Sequence, residues 1–339
     1  MVNTEPVPPN SRMPEPKRTM PVISAAAVTK SWGTNVVLNN VTVDVLPGIT
    51  GLLGSNGAGK TTFLGMALGL HQPDSGSLQV LGEDPALAGP MLRQRIGYSP
   101  EHHDLPPDIP AQDLVRHLAE VHGLPRREAT TRASDSLWLV GLGEERARPV
   151  GTMSTGQRQR VKLAQAIAHD PALILLDEPT DGLDPVQRDD MLALIRRIGT
   201  EFGISIMLSS HLLEEVERVA DNAVILNNQR VVASGPISQL RGDRTGVIVE
   251  VDSGVEQLGQ FLEQAGAQVA VQQRRLVVDS EHPDASLDGL LDLVRDAAAA
   301  VGSPIRRMHP AESSLEELFL AELDAGNLVA AAAGSESAS

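Results

Sequence analysis

Gly54-Ser55-Asn56-Gly57-Ala58-Gly59-Lys60-Thr61 is the stretch from which the fold of this 339-residue chain is read. It is a full G-x-x-x-x-G-K-[ST] match, and its flanks supply the context that such a loop needs. An apolar run, Ile49-Thr50-Gly51-Leu52-Leu53, precedes it and reads as a strand, and a helical pattern follows from Lys60 to Leu70. Glycines in the turn let backbone N–H groups converge on an anion, and the start of the helix adds the positive end of its dipole. Lys60 then provides a point charge for the β- and γ-oxygens of a nucleoside triphosphate, and Thr61 a hydroxyl for Mg²⁺. A glycine turn that served structure alone would have no use for the Lys-Thr pair.

Two further stretches narrow the chemistry. Ala172-Leu173-Ile174-Leu175-Leu176-Asp177-Glu178-Pro179 is an apolar strand that ends in two carboxylates. Asp177 is suited to hold Mg²⁺ through water, and Glu178 to face a γ-phosphate and polarise an attacking water. Met153-Ser154-Thr155-Gly156-Gln157 stands immediately before a helix rich in Arg, Gln and Ala. Ser154 reads as its N-cap, and the N–H groups behind that cap make a second anion site. One glycine loop and one further anion-recognising helix start in the same chain suggest a nucleotide sandwiched between two subunits.

Outward from these stretches, short β-type runs fill residues 22–54, among them Val41-Thr42-Val43-Asp44-Val45. Residues 110–148 read mainly as helix, with Leu114, Leu118 and Val121 on one face. Leu173 to Leu176 and Ile204 to Leu208 are short, unalternating and bounded by turn or polar residues, as strands buried on both faces of a parallel sheet are. The order predicts an α/β domain with a parallel core. Past residue 243 the rhythm changes. A strand at Val247 to Val251 is followed by a helix carrying Val255, Leu258 and Leu262, and then by strands at Gln268 to Val271 and Arg275 to Val278. A second helix carries Leu287, Leu290, Leu291 and Val294, and Pro304 to Met308 makes a weak last strand. This β-α-β-β-α-β order is the ferredoxin-like one. It suits an accessory or dimerisation domain, or a small-molecule sensor. A final helix is expected from a capping-box signal, Ser313 or Ser314 with Glu316 or Glu317, and should bury Leu315, Leu318 and Phe319.

Composition removes several function classes. Lys and Arg number 28 against 44 Asp and Glu, a formal net charge of −16, which opposes binding to nucleic acid or anionic lipid. Residues 241–339 hold 7 of the basic and 17 of the acidic side chains, so ten of those sixteen charges lie beyond the glycine-loop region. The chain has no cysteine, which excludes disulfides, thiolate zinc sites and thiol catalysis. Residues 1–21 hold six prolines without an apolar core, and read as a disordered arm rather than a signal peptide or anchor. Residues 325–339 read as a disordered Ala/Ser tail. No run approaches the ~18 apolar residues that span a bilayer, so a cytoplasmic location is expected, with any membrane role supplied by a partner.

Together the motifs resemble the ATP-binding subunit of ABC transporters over roughly residues 22–240. Gly54 to Thr62 is similar to that family's Walker A loop, Ala172 to Glu178 to its Walker B strand, Ser154 to Gln157 to its signature, and Gly182-Leu183-Asp184-Pro185 to its D-loop. The resemblance puts His211, after Ile204 to Leu208, at the switch-histidine position and Trp32, in Lys30-Ser31-Trp32-Gly33, where adenine is stacked. It implies a P-loop NTPase core at 22–242 with an antiparallel β subdomain and a helical insert at about 102–165, followed by an accessory domain at 243–324. Its cofactors would be ATP and Mg²⁺, with Thr61, Glu101 and Asp177 toward the metal. Ser154, Thr155, Gly156, Gln157 and Asp184 would contact ATP across a head-to-tail pair of subunits, the second being another copy or a paralogue. The implied partner is a transmembrane permease, and the long C-terminal extension resembles ABC-2-type exporters.

Two positions depart from the pattern. Thr155 replaces the signature's first glycine, which is costly if φ there must be positive. Glu101, in Ile96-Gly97-Tyr98-Ser99-Pro100-Glu101, stands where many members carry glutamine, and His102 and His103 beside it read as solvated loop residues. The other histidines and Glu214-Glu215 read as helix surface, as do Arg158 and Arg160, for which a subunit contact is the alternative. Two alternatives stay open: an ABC-like ATPase without a membrane partner, and an ATP-dependent switch that does not hydrolyse.

Overall fold

The computed structural model describes residues 20–101, 105–240, 246–272, 275–280 and 287–311. Thirteen strands are described: β1 (Ile23–Trp32), β2 (Asn35–Val45), β3 (Ile49–Leu53), β4 (Ser75–Val80), β5 (Ile96–Ser99), β6 (Leu173–Asp177), β7 (Ser205–Ser210), β8 (Asn222–Asn227), β9 (Arg230–Pro236), β10 (Gly246–Val251), β11 (Ala267–Gln272), β12 (Arg275–Ser280) and β13 (Ile305–Ala311). They form three sheets.

The central sheet has the order β5-β6-β7-β3-β8-β9, parallel except for the antiparallel last pair. Every residue of β3, β6 and β7 is buried, as expected for unalternating apolar strands covered on both faces. The pleat sends successive side chains of β6 to opposite sides. Leu173 and Leu175 join a cluster with Phe63, Leu64 and the antiparallel sheet β2-β1-β4, while Ile174 and Leu176 join a second cluster with the helices. In that second cluster lie Leu114 and Val115 of the helix Ala111–Val121, Ala133 and Leu137 of the helix Arg126–Leu139, and Val161 and Ala164 of the helix Thr155–Ile167. The helical insert thus shares a core with the sheet. Its apolar stripe runs through Ala111, Leu114, Val115 and Ala119, with Leu118 at its edge. Val121, expected on the same face, is the last residue of the helix and is 67% exposed.

Residues 246–311 build a four-stranded antiparallel sheet, β11-β12-β10-β13, with the helices Val255–Gln264 and Leu287–Val301. The order is ferredoxin-like, and Leu258, Leu262, Leu290 and Val294 share a core of their own with Val247, Val249, Leu276 and Val278. Leu287, expected in the helical stripe, is exposed at the first turn, and Ala297 and Ala298 extend the stripe instead. The last strand starts at Ile305 and runs to Ala311, longer than Pro304 to Met308. The helix expected after Ser313 lies outside the described residues, as do His102 and His103. No helix among the described residues is long and apolar enough to cross a membrane.

Two histidines depart from a surface reading. His169, just past the helix Thr155–Ile167, is 7% exposed, and its ring stacks on His122 with centroids 3.8 Å apart. Its Nε2 lies 3.2 Å from the Ile96 carbonyl, which can only accept, while Nδ1 is buried without a partner among the described residues. Burial, followed by the neighbouring His122 and against the weaker pulls of the Ile96 carbonyl and Asp170, pushes the His169 pKa down to about 4 from an ordinary 6.5. The unfolded chain therefore takes up a proton that the folded chain refuses as pH falls from 6.5 toward 4. Stability from this group is complete above that window and about 3 kcal/mol is lost across it. Urea unfolding at pH 7 and pH 5 should show a smaller drop for His169→Gln than for the parent; an identical drop would show that the imidazole is not the source.

Candidate active site

The loop between β3 and the helix Lys60–Ala67 is held by the chain's own atoms. Lys60 Nζ donates to the Gly54 carbonyl at 2.7 Å and lies 3.4 Å from that of Ser55, and the Ala58 N–H donates to Ser55 O at 3.1 Å. Gly59, the residue before the helix, has φ +100°, and a Cβ there would sit 2.7 Å from Leu38 Cδ2 and 2.9 Å from the Val37 carbonyl. Only glycine combines that dihedral with so close an approach of β2. The loop opens on a cleft lined by Ser55, Asn56, Gly57, Gly59, Lys60, Thr61, Thr62, Glu101 and Glu178, with Asn35 and Val37 as its far wall.

The carboxylates arrive from β6. Asp177 is 1% exposed; its Oδ1 accepts from Ser209 Oγ at 2.6 Å, and its Oδ2 has no partner among the described residues. Glu178 is 6% exposed and takes φ +45°, a left-handed conformation that costs an L-residue about 1–2 kcal/mol. Three contacts hold it there. Its N–H donates to Ser209 Oγ at 2.9 Å, its Oε1 is 3.1 Å from Lys60 Nζ, and its Oε2 is 3.0 Å from His211 Nδ1. The glycine-loop lysine, the strand-end glutamate and the switch-position histidine thus form one chain of contacts from three separate elements. Tyr98 on β5 lies against the same group; burial, then Asp177 and Glu101, push its hydroxyl up to about 12.

Ser154 caps the helix Thr155–Ile167, with Gln157 N–H donating to its hydroxyl at 3.2 Å and the Gln157 side chain accepting from Ser154 N–H at 3.0 Å. Thr155 opens that helix without positive φ, so its side chain carries no backbone strain there. Asp184 caps the helix Pro185–Phe202 through the Gln187 N–H at 2.9 Å. None of Ser154, Thr155, Gly156, Gln157 and Asp184 lines the cleft. They sit instead beside one another: a Cβ on Gly156 would come 2.7 Å from Gln187 Oε1, and Gln159 Nε2 donates to the Asp181 carbonyl at 3.1 Å. Trp32 ends β1 opposite Asn35 of the cleft wall, 47% exposed, its ring edge-on to His71 at 4.8 Å and 5.0 Å from Lys30 Nζ.

Similarity to known proteins gives the family to which these motifs belong. The family model for ABC transporters matches residues 38–181. A Nod factor export ATP-binding protein I of Ralstonia nicotianae is 34% identical over 233 residues, covering 68% of this chain and 72% of that one. The chain belongs to the ABC transporter ATP-binding proteins. Another ABC relative, the bacitracin transport ATP-binding protein BcrA of Bacillus licheniformis, is 34% identical over 221 residues, covering 65% of this chain and 71% of its own. The methionine import ATP-binding protein MetN of Brucella abortus is 32% identical over 232 residues, and the match spans 66% of this chain and 62% of that relative's length. Among solved structures, an ATP-binding subunit of an ABC transporter superposes with a TM-score of 0.58 at 30% identity, over 65% of this chain and 92% of that one. The ABC cassette MJ0796, at 24% identity and TM-score 0.57, shares the fold.

Several residues of this ABC site escape a motif search. Ser209 joins Asp177 to Glu178, and its only signal was the Ser209-Ser210-His211 run at the end of an apolar strand. Lys162, 6% exposed, donates to the carbonyls of Glu101 at 2.8 Å and Pro100 at 3.1 Å, tying the Ser154-capped helix to the Glu101 loop; burial holds its pKa below the usual lysine value. Arg158 and Arg160 are not a free helix face. Arg158 donates to the Met153 carbonyl at 2.9 Å, bracing the start of that helix, and Arg160 to that of Val140 at 2.7 Å, tying it to the end of the helix Arg126–Leu139. Glu215, expected at a helix surface, is 3% exposed.

Proposed function

We propose that this chain binds and hydrolyses ATP between two head-to-tail subunits and drives transport by a partner permease. The observation that carries the reading is the contact chain Lys60–Glu178–His211 at the mouth of the glycine loop, above buried Asp177. The loop N–H groups from Ser55 to Thr62 would surround the phosphates, Lys60 would sit on the β- and γ-oxygens, and Trp32 would stack on adenine. Glu178 would orient and deprotonate the attacking water, with His211 fixing the Glu178 carboxylate and facing the departing γ-phosphoryl. Mg²⁺ fits the unpartnered Asp177 Oδ2, the Thr61 hydroxyl and Glu101, and when bound would neutralise phosphate charge.

The second subunit enters because Ser154, Thr155, Gly156, Gln157 and Asp184 form their own cluster away from the cleft, where a γ-phosphate held by another chain can meet them. That subunit would be a second copy or a paralogue. Residues 22–242 would be the motor and 243–324 an accessory domain with a separate core. Export by the partner permease is favoured by the resemblance of the C-terminal extension and by a relative named for Nod factor export, against one named for methionine import. The site would then work on the inner face of the membrane, reached through the permease. Purification of the full chain from membranes should bring down a protein with about six apolar spans, and the complex should release phosphate from ATP. A chain that extracts alone and releases no phosphate, with or without membranes, would favour the non-transport switch.

A further inference from the structure

Glu215 lies in the helix Leu213–Val219, four residues past His211, and its carboxylate is buried among polar groups from three other segments. Its Oε2 accepts from Thr180 Oγ1 at 2.9 Å and from Ser210 Oγ at 2.7 Å, and Arg188 Nε lies 3.2 Å from Oε1. Thr180 is two residues past Glu178. Ser210 directly precedes His211, and its hydroxyl also accepts from the Leu212 N–H at 3.0 Å, closing the turn that carries the histidine. Arg188 belongs to the helix that Asp184 caps. One carboxylate therefore clasps the Glu178 turn, the His211 turn and the start of the Asp184 helix, while touching neither Glu178 nor His211.

We propose that Glu215 is a positioning residue for hydrolysis, setting the separation of Glu178 and His211 by holding together the two turns that bear them. The inference rests on the roles given to those two residues above. Thr180 and Ser210 are 3% and 0% exposed, so without Glu215 their hydroxyls lose their acceptor inside the fold, and the turns must shift or admit water in its place. A shift of the order of 1 Å between base and histidine is enough to cost about a hundredfold in rate. Glutamine keeps an acceptor oxygen for both hydroxyls, and alanine keeps none.

The test is steady-state phosphate release and equilibrium ATP affinity for Glu215→Ala and Glu215→Gln, each in the full chain and in a His211→Ala background. Glu215→Ala should lower kcat by roughly ten- to a hundredfold with affinity within about twofold of the parent, and Glu215→Gln should recover most of the rate. In the His211→Ala background the same change should cost less than about threefold, because residues acting through one another are not additive. Equal losses in both backgrounds, or a fall in affinity as large as that in kcat, would overturn the proposal in favour of general support of the fold. Thr180→Val, which removes one clasp and keeps the side-chain shape, covers the case in which Glu215→Ala does not fold; full kcat in that variant also overturns it. If Glu178→Gln retains turnover, the hydrolytic reading itself fails. If Glu178→Gln is dead and Glu215→Ala runs at the parent rate, only this inference fails.

Discussion

Glu178→Gln should reduce ATP turnover by roughly 10²- to 10⁴-fold while ATP stays bound. The amide has nearly the same shape and can still meet Lys60 and His211, so the cleft should keep its form. It cannot accept the proton of the attacking water. Stability should fall by up to about 3 kcal/mol, because the buried Lys60 ammonium loses its opposite charge and keeps the Gly54 carbonyl as partner. Single-turnover phosphate release, with nucleotide occupancy measured on the same sample, separates the two effects. Undiminished hydrolysis would remove Glu178 from its role.

The second large effect falls on Lys60, whose ammonium serves the nucleotide and the fold at once. With no nucleotide added, Nζ is the positive partner of Glu178 in a site where both side chains are under a tenth exposed. Lys60→Ala leaves that carboxylate with His211 alone, and breaking a buried pair from one side costs about 3 kcal/mol. It also removes a charge-assisted contact to phosphate, worth roughly ten- to a hundredfold in ATP affinity. The two losses can be pulled apart. Adding Glu178→Gln to Lys60→Ala should restore most of the stability in urea unfolding, since the stranded charge is gone, and none of the affinity. Recovery of binding in the double variant, or no stability loss in the single one, would contradict the assignment.

What could be read before the structure depended on how far each residue's meaning lay from its own segment. β3, β6 and β7 were legible because strands covered on both faces are short, apolar and unalternating. β4, Ser75-Gly76-Ser77-Leu78-Gln79-Val80, was not, since four of its six residues are exposed and its pairing with β1 is what makes it a strand. β5 is only four residues long. In the site, Lys60 and Glu178 were legible as local motifs, whereas their 3.1 Å contact joins positions 118 residues apart. Glu214-Glu215 has the pattern of a solvated face; only Thr180, Ser210 and Arg188, each brought in from elsewhere, distinguish the second glutamate from the first. Thr155 looked costly on sequence because its φ was unknown, and its place at the opening of a capped helix removes the objection.

The two-sided burial of β6 has a consequence for where its tip can be. A strand with one wet face keeps its register because a slip of one residue would turn its apolar side chains to water. Here a slip of one would exchange Leu173 and Leu175 for Ile174 and Leu176 between two filled clusters that differ in shape, and would bring Leu176 or Glu178 to the position where Asp177 meets Ser209. The strand acts as a ruler clamped at its middle. Its end mark, the pair of carboxylates, is located by hydrocarbon packing several residues away.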